Sequence, residues 1–225
     1  MIAALYVQPG GVYYGLPDVE PWGLPERDAR EYAGPWPVVA HPPCARWGRY
    51  WFGGPSAKVR RIKGDDDGCF SAALAAVRRW GGVLEHPAAS SAWAAHDLTP
   101  PTLGSGWTAA DLIGGWTCQV EQGHYGNRAR KSTWLYAMGC SLPSLQWGPS
   151  AARIRLDDGF HSSEERRRAT RTGDIQRMSQ RESARTPPAF RDLLLAMARS
   201  VAPRTGLPPT ARDGCAGAAG DAIEE

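Results

Sequence analysis

Short apolar runs separated by glycine and proline predict buried β-strands in the first half of the chain. Residues 2–7 and 38–40 are continuous apolar runs, and each is followed by a turn that contains proline. Between residues 67 and 79 the apolar side chains recur at the spacing of one helix face, and three aspartates at residues 65–67 favour the start of that helix. A glycine pair and a further apolar strand at residues 83–84 follow. This order predicts a βαβ unit with parallel strands and a right-handed crossover.

The second half of the chain predicts shorter elements and one clear amphipathic helix. Residues 88–95 are typical of a short helix, while residues 116–120 and 133–138 predict two strands that pair antiparallel. The sequence Thr-Pro-Pro then caps a helix within residues 186–200. The side chains that we expect to face inward from this helix are Phe190, Leu193, Leu194 and Met197.

These elements predict a three-layer α/β fold with a Rossmann-like sheet. Residues 1–148 form the α/β domain, and residues 186–200 pack on it as a C-terminal helix. Residues 149–185 are polar and rich in arginine, which indicates a linker or a small insertion. Residues 201–225 have the composition of a disordered tail. The densest basic run, either a solvated segment or a contact for nucleic-acid phosphates, is Arg166, Arg167, Arg168 and Arg171.

The overall composition is that of a globular protein. The 225 residues carry a net charge of +3, which permits a nucleic-acid partner without requiring one. Because the chain shows no signal-peptide pattern and no long apolar run, we expect a cytoplasmic protein that does not enter a membrane. Its five cysteines are then reduced, and each is a candidate for burial, catalysis or metal binding.

Two polar side chains follow neighbouring predicted strands at the point where each strand ends. Cys44 comes after two prolines on the loop that leaves residues 38–40, and Glu85 comes directly after residues 83–84. Because active groups gather at the carboxyl ends of parallel strands, we expect both side chains in one cleft. A sulfur nucleophile beside an acid suits attack on an electron-poor ring that the acid protonates. The alternatives are a cysteine buried in the core and a glutamate that caps the next helix or forms a structural ion pair.

Three segments, in chain order, resemble the DNA cytosine-5 methyltransferases, especially the compact phage-type members. The segments are Pro-Pro-Cys at residues 42–44, Leu-Glu-His-Pro at residues 84–87, and Gln…Tyr-Gly…Arg-Lys-x-Thr at residues 122–133. The resemblance covers about residues 38–147 and implies DNA as the partner and S-adenosylmethionine as the cofactor. It implies that Cys44 adds to C6 of a flipped-out cytosine while Glu85 contacts ring N3 and the exocyclic amine. A phage-encoded chain of this kind would act in the cytoplasm of a bacterial host.

The same resemblance assigns cations to the site. It implies that Arg128 or Arg130, with Lys131, supports the catalytic residues; the alternative for these cations is a solvated strand edge or contact with DNA phosphates. The asparagine that follows the family's glutamate is His86 here, which can hold Glu85 by a hydrogen bond. A nucleophilic Cys44 near such cations is expected to have a lowered thiol pKa.

The cofactor half of the family pattern is reduced in this chain. The family opens with Phe-x-Gly-x-Gly-Gly, and the equivalent stretch is Tyr-Val-Gln-Pro-Gly-Gly at residues 6–11. We therefore assign Gly10 and Gly11 to the cofactor, with Glu20 or Asp18 as the acid for its ribose. Only about thirty residues separate this stretch from the cysteine strand, so one βα unit is missing or collapsed.

Ten tryptophans suggest a surface for stacking bases, although packing in the core is the alternative. Trp47 and Trp93, with Trp51, lie on loops beside the two motifs, and Arg46 and Lys131 add positive charge there. A zinc site is a further alternative, and its ligands would be His41, Cys44, Cys118 and His124.

The sequence therefore predicts a DNA pyrimidine-modifying transferase of reduced, methyltransferase-like α/β fold. One alternative is a catalytically silent relative that binds DNA. Another is an enzyme that modifies bases or free nucleotides with a donor other than S-adenosylmethionine.

Overall fold

A mixed seven-stranded sheet forms the centre of the computed structural model, which describes residues 1–48, 50–53, 58–102, 104–152, 154, 162–172, 178 and 180–202. The strands are β1 (Ile2–Leu5), β2 (Val19–Trp22), β3 (Val38–Ala40), β4 (Gly82–Pro87), β5 (Thr108–Ala109), β6 (Trp116–Glu121) and β7 (Ser132–Met138). The helices are α1 (Cys69–Trp80), α2 (Ala92–Ala95), α3 (Ser163–Thr172), α4 (Gln180–Ser183) and α5 (Pro188–Arg199). Short 3-10 turns occur at Ala29–Glu31 and Gln122–Tyr125.

The strand order is β2-β1-β3-β4-β7-β6-β5. The first four strands of this order are parallel, and β7, β6 and β5 continue the sheet as antiparallel neighbours. This arrangement confirms the predicted α/β class, the predicted β3-α1-β4 unit and the predicted antiparallel pairing of β6 with β7.

Helices cover the two faces of the sheet. Alternate residues of β1, β3 and β4 pack against α1 on one face, and the residues between them pack against α5 on the other. Of the four side chains predicted to face inward from α5, three are buried and Leu193 is half-buried. Leu195, which was not predicted, is also buried there. The predicted three layers are therefore present.

Helix α1 begins at Cys69, two residues later than predicted. Asp67 and Gly68 have φ of +55° and +74°, so the chain turns there before it becomes helical. The Asp66 carboxylate nevertheless caps the helix, because it accepts hydrogen bonds from the backbone N–H of Gly68 and of Phe70 (3.1 and 2.9 Å). It also accepts from the indole of Trp47 at 2.7 Å, which ties the loop after Cys44 to α1.

Strand β2 lies in a stretch for which the sequence analysis predicted no strand. Pro21 interrupts its apolar pattern, but a proline is tolerated because β2 is at the edge of the sheet. No α-helix occurs between residues 6 and 37, all of which are described, so the chain between β1 and β3 adds a strand to the sheet without a helix.

The remaining helical predictions differ in extent from the structure. The helix expected at residues 88–95 is only α2, because Ala89 has a φ of +62° that a helix does not allow. The Arg-rich stretch at residues 149–185 contains α3 and α4 among its described residues. The disordered tail was predicted for residues 201–225, and those from 203 onward lie outside the described residues. None of the described helices has the length and apolar character needed to cross a membrane.

Candidate active site

A cavity of about 1180 Å³ opens at the carboxyl ends of the parallel strands. It lies between β1 and β3, where the strand order reverses: after β1 the chain passes to β2 on one side, and after β3 it passes to β4 on the other. Crevices at such switch points are the usual ligand sites of α/β sheets. Cys44 and Glu85 both line this cavity, as predicted.

Backbone strain is concentrated around the same cavity. Five described residues other than glycine have positive φ, and three of them line it: Tyr6 (+60°), Asp67 (+55°) and Lys131 (+43°). Such conformations cost about 1–3 kcal/mol each and cluster at functional sites. This clustering supports the choice of the cavity as the candidate site.

Glu85 is buried, with 8% of its surface exposed, and both of its oxygens accept hydrogen bonds. Oε2 accepts from His41 Nδ1 at 3.0 Å, and Oε1 accepts from Gln122 Nε2 at 3.0 Å. The Thr133 hydroxyl lies 3.3 Å from Oε1 and 3.0 Å from the same Gln122 nitrogen. These contacts fix the Gln122 amide, because its carbonyl oxygen facing a carboxylate would be repelled.

Glu85 is an anion in this environment. Burial by itself would raise its pKa, but the hydrogen bond from His41 and the positive charges nearby outweigh burial and lower the pKa to about 2. The side chain is therefore ionised at neutral pH. In the structure it is a hydrogen-bond acceptor, and its role as the acid that protonates the ring stays a prediction.

His41 connects Glu85 to Tyr13. Its Nε2 lies 2.8 Å from the Tyr13 hydroxyl, and both rings line the cavity. Burial, with the charge of Glu85 adding to it, raises the pKa of Tyr13 well above its ordinary value, so the phenol stays protonated. The sequence analysis missed this role for both residues, since His41 was considered only as a metal ligand.

Cys44 is exposed at the mouth of the cavity. Although the residue as a whole is exposed, its sulfur is desolvated by the surrounding cavity residues; this desolvation and the charge of Glu85 raise the pKa of the thiol, and Lys131 only partly opposes them. The expected lowering of the thiol pKa is therefore wrong, because desolvation has the largest effect on this thiol and the charge of Glu85 adds to it.

The three cations predicted to support the catalytic residues lie in different places in the structure, and only one of them lines the cavity. Lys131 lines the cavity, and its Nζ donates to the Arg185 carbonyl at 3.1 Å. Arg128 instead pairs with Glu182 of α4 at 2.9 Å. Arg130 is exposed. Neither arginine is part of the cavity lining, so Lys131 alone of the three joins Cys44 and Glu85.

Of the residues predicted to bind the cofactor, the two glycines line the cavity and the two acids do not. Gly10 and Gly11 line the cavity; Gly10 has a φ of +66°, and a Cβ on Gly11 would come within 2.7 Å of the Gln8 carbonyl oxygen. Glu20 instead forms an ion pair with Arg27 and faces a separate depression at the outer edge of the sheet. The alternative acid, Asp18, bonds Arg199 of α5 at 2.8 Å.

Asp28 is the acid after β2 that does line the cavity. Its carboxylate accepts from the backbone N–H and the guanidinium of Arg30, so it is already paired. The sequence analysis did not single it out, because β2 was not predicted and the position had no reference point.

Two of the predicted base-stacking residues are in the core. Trp93 is fully buried and packs against His86 and Trp134, and Trp47 is buried against Phe70. Neither can stack on a base in this arrangement. Arg46 is half-buried on the loop after Cys44, and Trp51 is half-buried beside Phe52.

His86 does not hold Glu85. Adjacent strand residues point to opposite faces, so His86 lies on the α1 face between Phe70 and Trp93. Neither of its ring nitrogens has a hydrogen bond of good geometry among the described residues.

The alternative zinc site does not form. Cys118 is buried in the core, and His124 bonds the Gly148 carbonyl at 3.0 Å. No group of three or more histidine, cysteine or acidic side chains suited to a metal occurs in the described part of the chain. The four described cysteines are free thiols.

Comparison of the chain with protein-family models, with curated proteins and with solved structures gives no match.

Proposed function

We propose that this protein modifies pyrimidine bases of DNA by covalent attack of Cys44 on ring C6, in the manner of the DNA cytosine-5 methyltransferases that its motifs resemble. The observation that carries the proposal is the meeting of Cys44, the ionised Glu85 and Lys131 in one cavity at the carboxyl edge of the sheet. On this proposal the sheet is a reduced Rossmann-like one.

The chemistry assigns each of these side chains a role. The Cys44 thiolate forms a bond to C6, and the displaced π electrons move onto C5 and the ring. Glu85 accepts a hydrogen bond from the exocyclic amine and orients the ring. Lys131 adds positive charge beside the sulfur, which favours the thiolate. A base in a duplex must be flipped out to reach Cys44, and the cavity has ample volume for one nucleotide.

S-adenosylmethionine is the proposed methyl donor by resemblance alone. The glycine turn at Gly10 and Gly11 suits close approach of a ligand to the backbone. The acid that would bind the ribose of this donor is not in place, because Glu20 faces away from the cavity and Asp28 is paired with Arg30. Titration calorimetry with S-adenosylmethionine tests the donor separately: micromolar binding supports it, and no heat of binding leaves a different donor.

Covalent trapping tests the proposed attack. DNA that carries pyrimidin-2-one in place of cytosine accepts a thiol without any second substrate, and 5-fluorocytosine DNA with S-adenosylmethionine traps a methylated adduct. We expect adducts with the wild type and with Cys140→Ala, whose cysteine lies outside the cavity lining, and none with Cys44→Ala. Adducts that form with Cys44→Ala as they do with the wild type, or a wild type that forms none, would overturn the proposal.

A catalytically silent DNA-binding role is the second candidate, and the loop after Cys44 favours it. Tyr50 and Phe52 are exposed there, and Lys58, Arg60 and Arg61 add exposed positive charge. Gel-shift binding that survives Cys44→Ala, with DNA that stays unmodified by nucleoside mass spectrometry, would support this role over the enzyme.

A further inference from the structure

We propose that Tyr13 and His41 form the proton relay of this cavity, in which Tyr13 exchanges a proton with C5 of the base and His41 stores it beside Glu85. This inference rests on the proposed function and deepens it. It transfers the acid role from Glu85, where the sequence placed it, to a pair of side chains that contact Glu85 from one side.

The hydrogen bonds give the relay a direction. Glu85 has accepting oxygens only, so the Nδ1 atom of His41 carries a proton and donates it at 3.0 Å. Nε2 then either accepts from the Tyr13 hydroxyl or, in the imidazolium, donates to the phenol oxygen across the same 2.8 Å. Both protonation states therefore use one set of heavy-atom positions, and a proton can move without rearrangement of the side chains.

The outer end of the relay is the Tyr13 hydroxyl. One imidazole nitrogen faces Glu85 and the other is covered by Tyr13, so a proton enters or leaves the ring through the phenol. Gln122 and Thr133 hold Glu85 from its other oxygen, so the carboxylate cannot turn away from His41.

The charged groups around the relay come from four segments. Glu85 on β4 faces His41 directly, with Lys131 before β7 and Cys44 after β3 lining the same cavity. Arg191 and Asp192 of α5 act on Tyr13. His86 lies on the opposite face of β4. His41 Nδ1 and Glu85 Oε2 are thus within ion-pair distance at 3.0 Å, so a proton stored on His41 lies directly beside the carboxylate.

The chemical step balances without an oxidant or a methyl donor. The Cys44 thiol proton enters the relay, the sulfur bonds to C6, and C5 takes a proton from Tyr13, which is refilled from His41 Nε2. In the second half of the exchange, C5 gives its original hydrogen to Tyr13, which passes its own proton to His41 Nε2; the C–H electron pair restores the C5–C6 double bond, and the C6–S bond breaks with its pair returning to sulfur. The relay then returns one proton to the sulfur, and the hydrogen released from C5 exchanges with water. The net result is exchange of the C5 hydrogen of cytosine with solvent.

Exchange from DNA tritiated at cytosine C5, measured without S-adenosylmethionine, tests the relay. We expect Tyr13→Phe and His41→Gln to slow tritium release by about 10²–10⁴-fold, the usual contribution of acid–base catalysis. Both variants should still bind pyrimidin-2-one DNA in a gel-shift assay, which separates loss of the proton step from loss of DNA binding. The matched controls are Tyr14→Phe, whose hydroxyl bonds Glu26 at an exposed site, and His124→Gln, which bonds the Gly148 carbonyl.

The pH profile separates a relay from a merely structural role. Loss of His41 should change the shape of the pH–rate profile of exchange, whereas a packing defect would lower the rate equally at every pH. Exchange that is unchanged in Tyr13→Phe, with the adduct still formed, overturns the relay and leaves the proposed function standing. A wild type that forms no adduct overturns both.

Nitrogen-15 NMR of histidine-labelled protein gives a readout that needs no activity. The relay requires the His41 proton on Nδ1 in the neutral ring, with an altered signal in Glu85→Gln. A neutral ring protonated on Nε2 would overturn the proposal.

Discussion

Cys44 lies where two opposing charges act on one thiol. Burial and Glu85 raise the pKa of the thiol, and Lys131 lowers it. A sulfur in this position remains a thiol at neutral pH until a base or a substrate draws off its proton, which is consistent with the need for a relay.

Peptide-resolved alkylation of Cys44 with iodoacetamide tests this balance. At pH 8 we expect Glu85→Gln to speed alkylation, because the charge that disfavours the thiolate is gone. Lys131→Met should slow it for the opposite reason. Arg130→Met is the control, since Arg130 is exposed and is not part of the cavity lining. Slower alkylation in Glu85→Gln would contradict this description of the site.

The sequence allowed the meeting of Cys44 and Glu85 to be predicted, because both follow strands whose parallel pairing has a simple pattern. It did not allow the partners of Glu85 to be predicted. His41 and Tyr13 reach it only through the relative positions of β1, β3 and β4, and no local spacing encodes such contacts. The prediction that Trp47 and Trp93 stack on bases was wrong for a related reason. The position of a residue next to a motif does not show whether its side chain points into the core or towards solvent.

At the scale of elements, the contact of β3 with β4 positions the two predicted catalytic groups. Gly82 begins β4 with a φ of +118°, and a Cβ there would come within 2.0 Å of the Val38 carbonyl oxygen. Only glycine lets the two backbones approach this closely.

We therefore expect Gly82→Ala to lower the free energy of unfolding by about 3 kcal/mol or more, because the clash is with backbone that cannot move aside. Gly126→Ala is the matched control: its φ is also positive, at +92°, but nothing lies within 4 Å of the added carbon. That change should cost only about 1–2 kcal/mol of backbone strain. Urea unfolding followed by tryptophan fluorescence measures both, and equal losses would refute the steric explanation.

The start of α1 provides a second test at this scale. Asp66 accepts from the backbone N–H of the cap residue Gly68, from that of Phe70 in the first turn and from the indole of Trp47, whose own backbone N–H bonds the Cys44 carbonyl at 3.0 Å. We expect Asp66→Ala to cost about 2 kcal/mol in urea unfolding, a helix cap plus a partly buried hydrogen bond. Asp65→Ala, at an exposed position, should stay within about 0.5 kcal/mol of the wild type. A similar loss in the two variants would argue against the capping role.

Elements with strong patterns were predictable and edge elements were not. Helices α1 and α5 were predictable because their apolar residues recur at helical spacing, and these residues form the faces that pack on the sheet. Strand β2 contains Pro21 and β5 has two residues, so neither carries a period that can be recognised. Both form because a neighbouring strand, β1 or β6, offers its free edge.

At the scale of the whole molecule, two buried groups on opposite faces of β4 link stability to pH. Burial lowers the pKa of His86 to about 4, against the opposing effects of Glu85 and the Pro43 carbonyl. The folded protein therefore resists protonation that the unfolded chain accepts near pH 6.5. Stability from this group is complete above about pH 6.5 and is lost as the pH falls towards 4. Glu85 behaves likewise at lower pH, because its folded pKa of about 2 lies below its ordinary value.

We expect the free energy of unfolding to fall in two overlapping stages, between about pH 6.5 and 4 and between about pH 4.5 and 2, by up to about 3 kcal/mol in each. His86→Phe should remove the first stage, because a phenyl ring fits between Phe70 and Trp93 and takes up no proton. Glu85→Gln should remove the second and lower stability at pH 7, since it leaves His41 without its anion. Urea unfolding from pH 7.5 to 3 measures the difference of each variant from the wild type, with His96→Gln as the control. A His86→Phe difference that stays constant with pH would show that His86 is not buried as the neutral base.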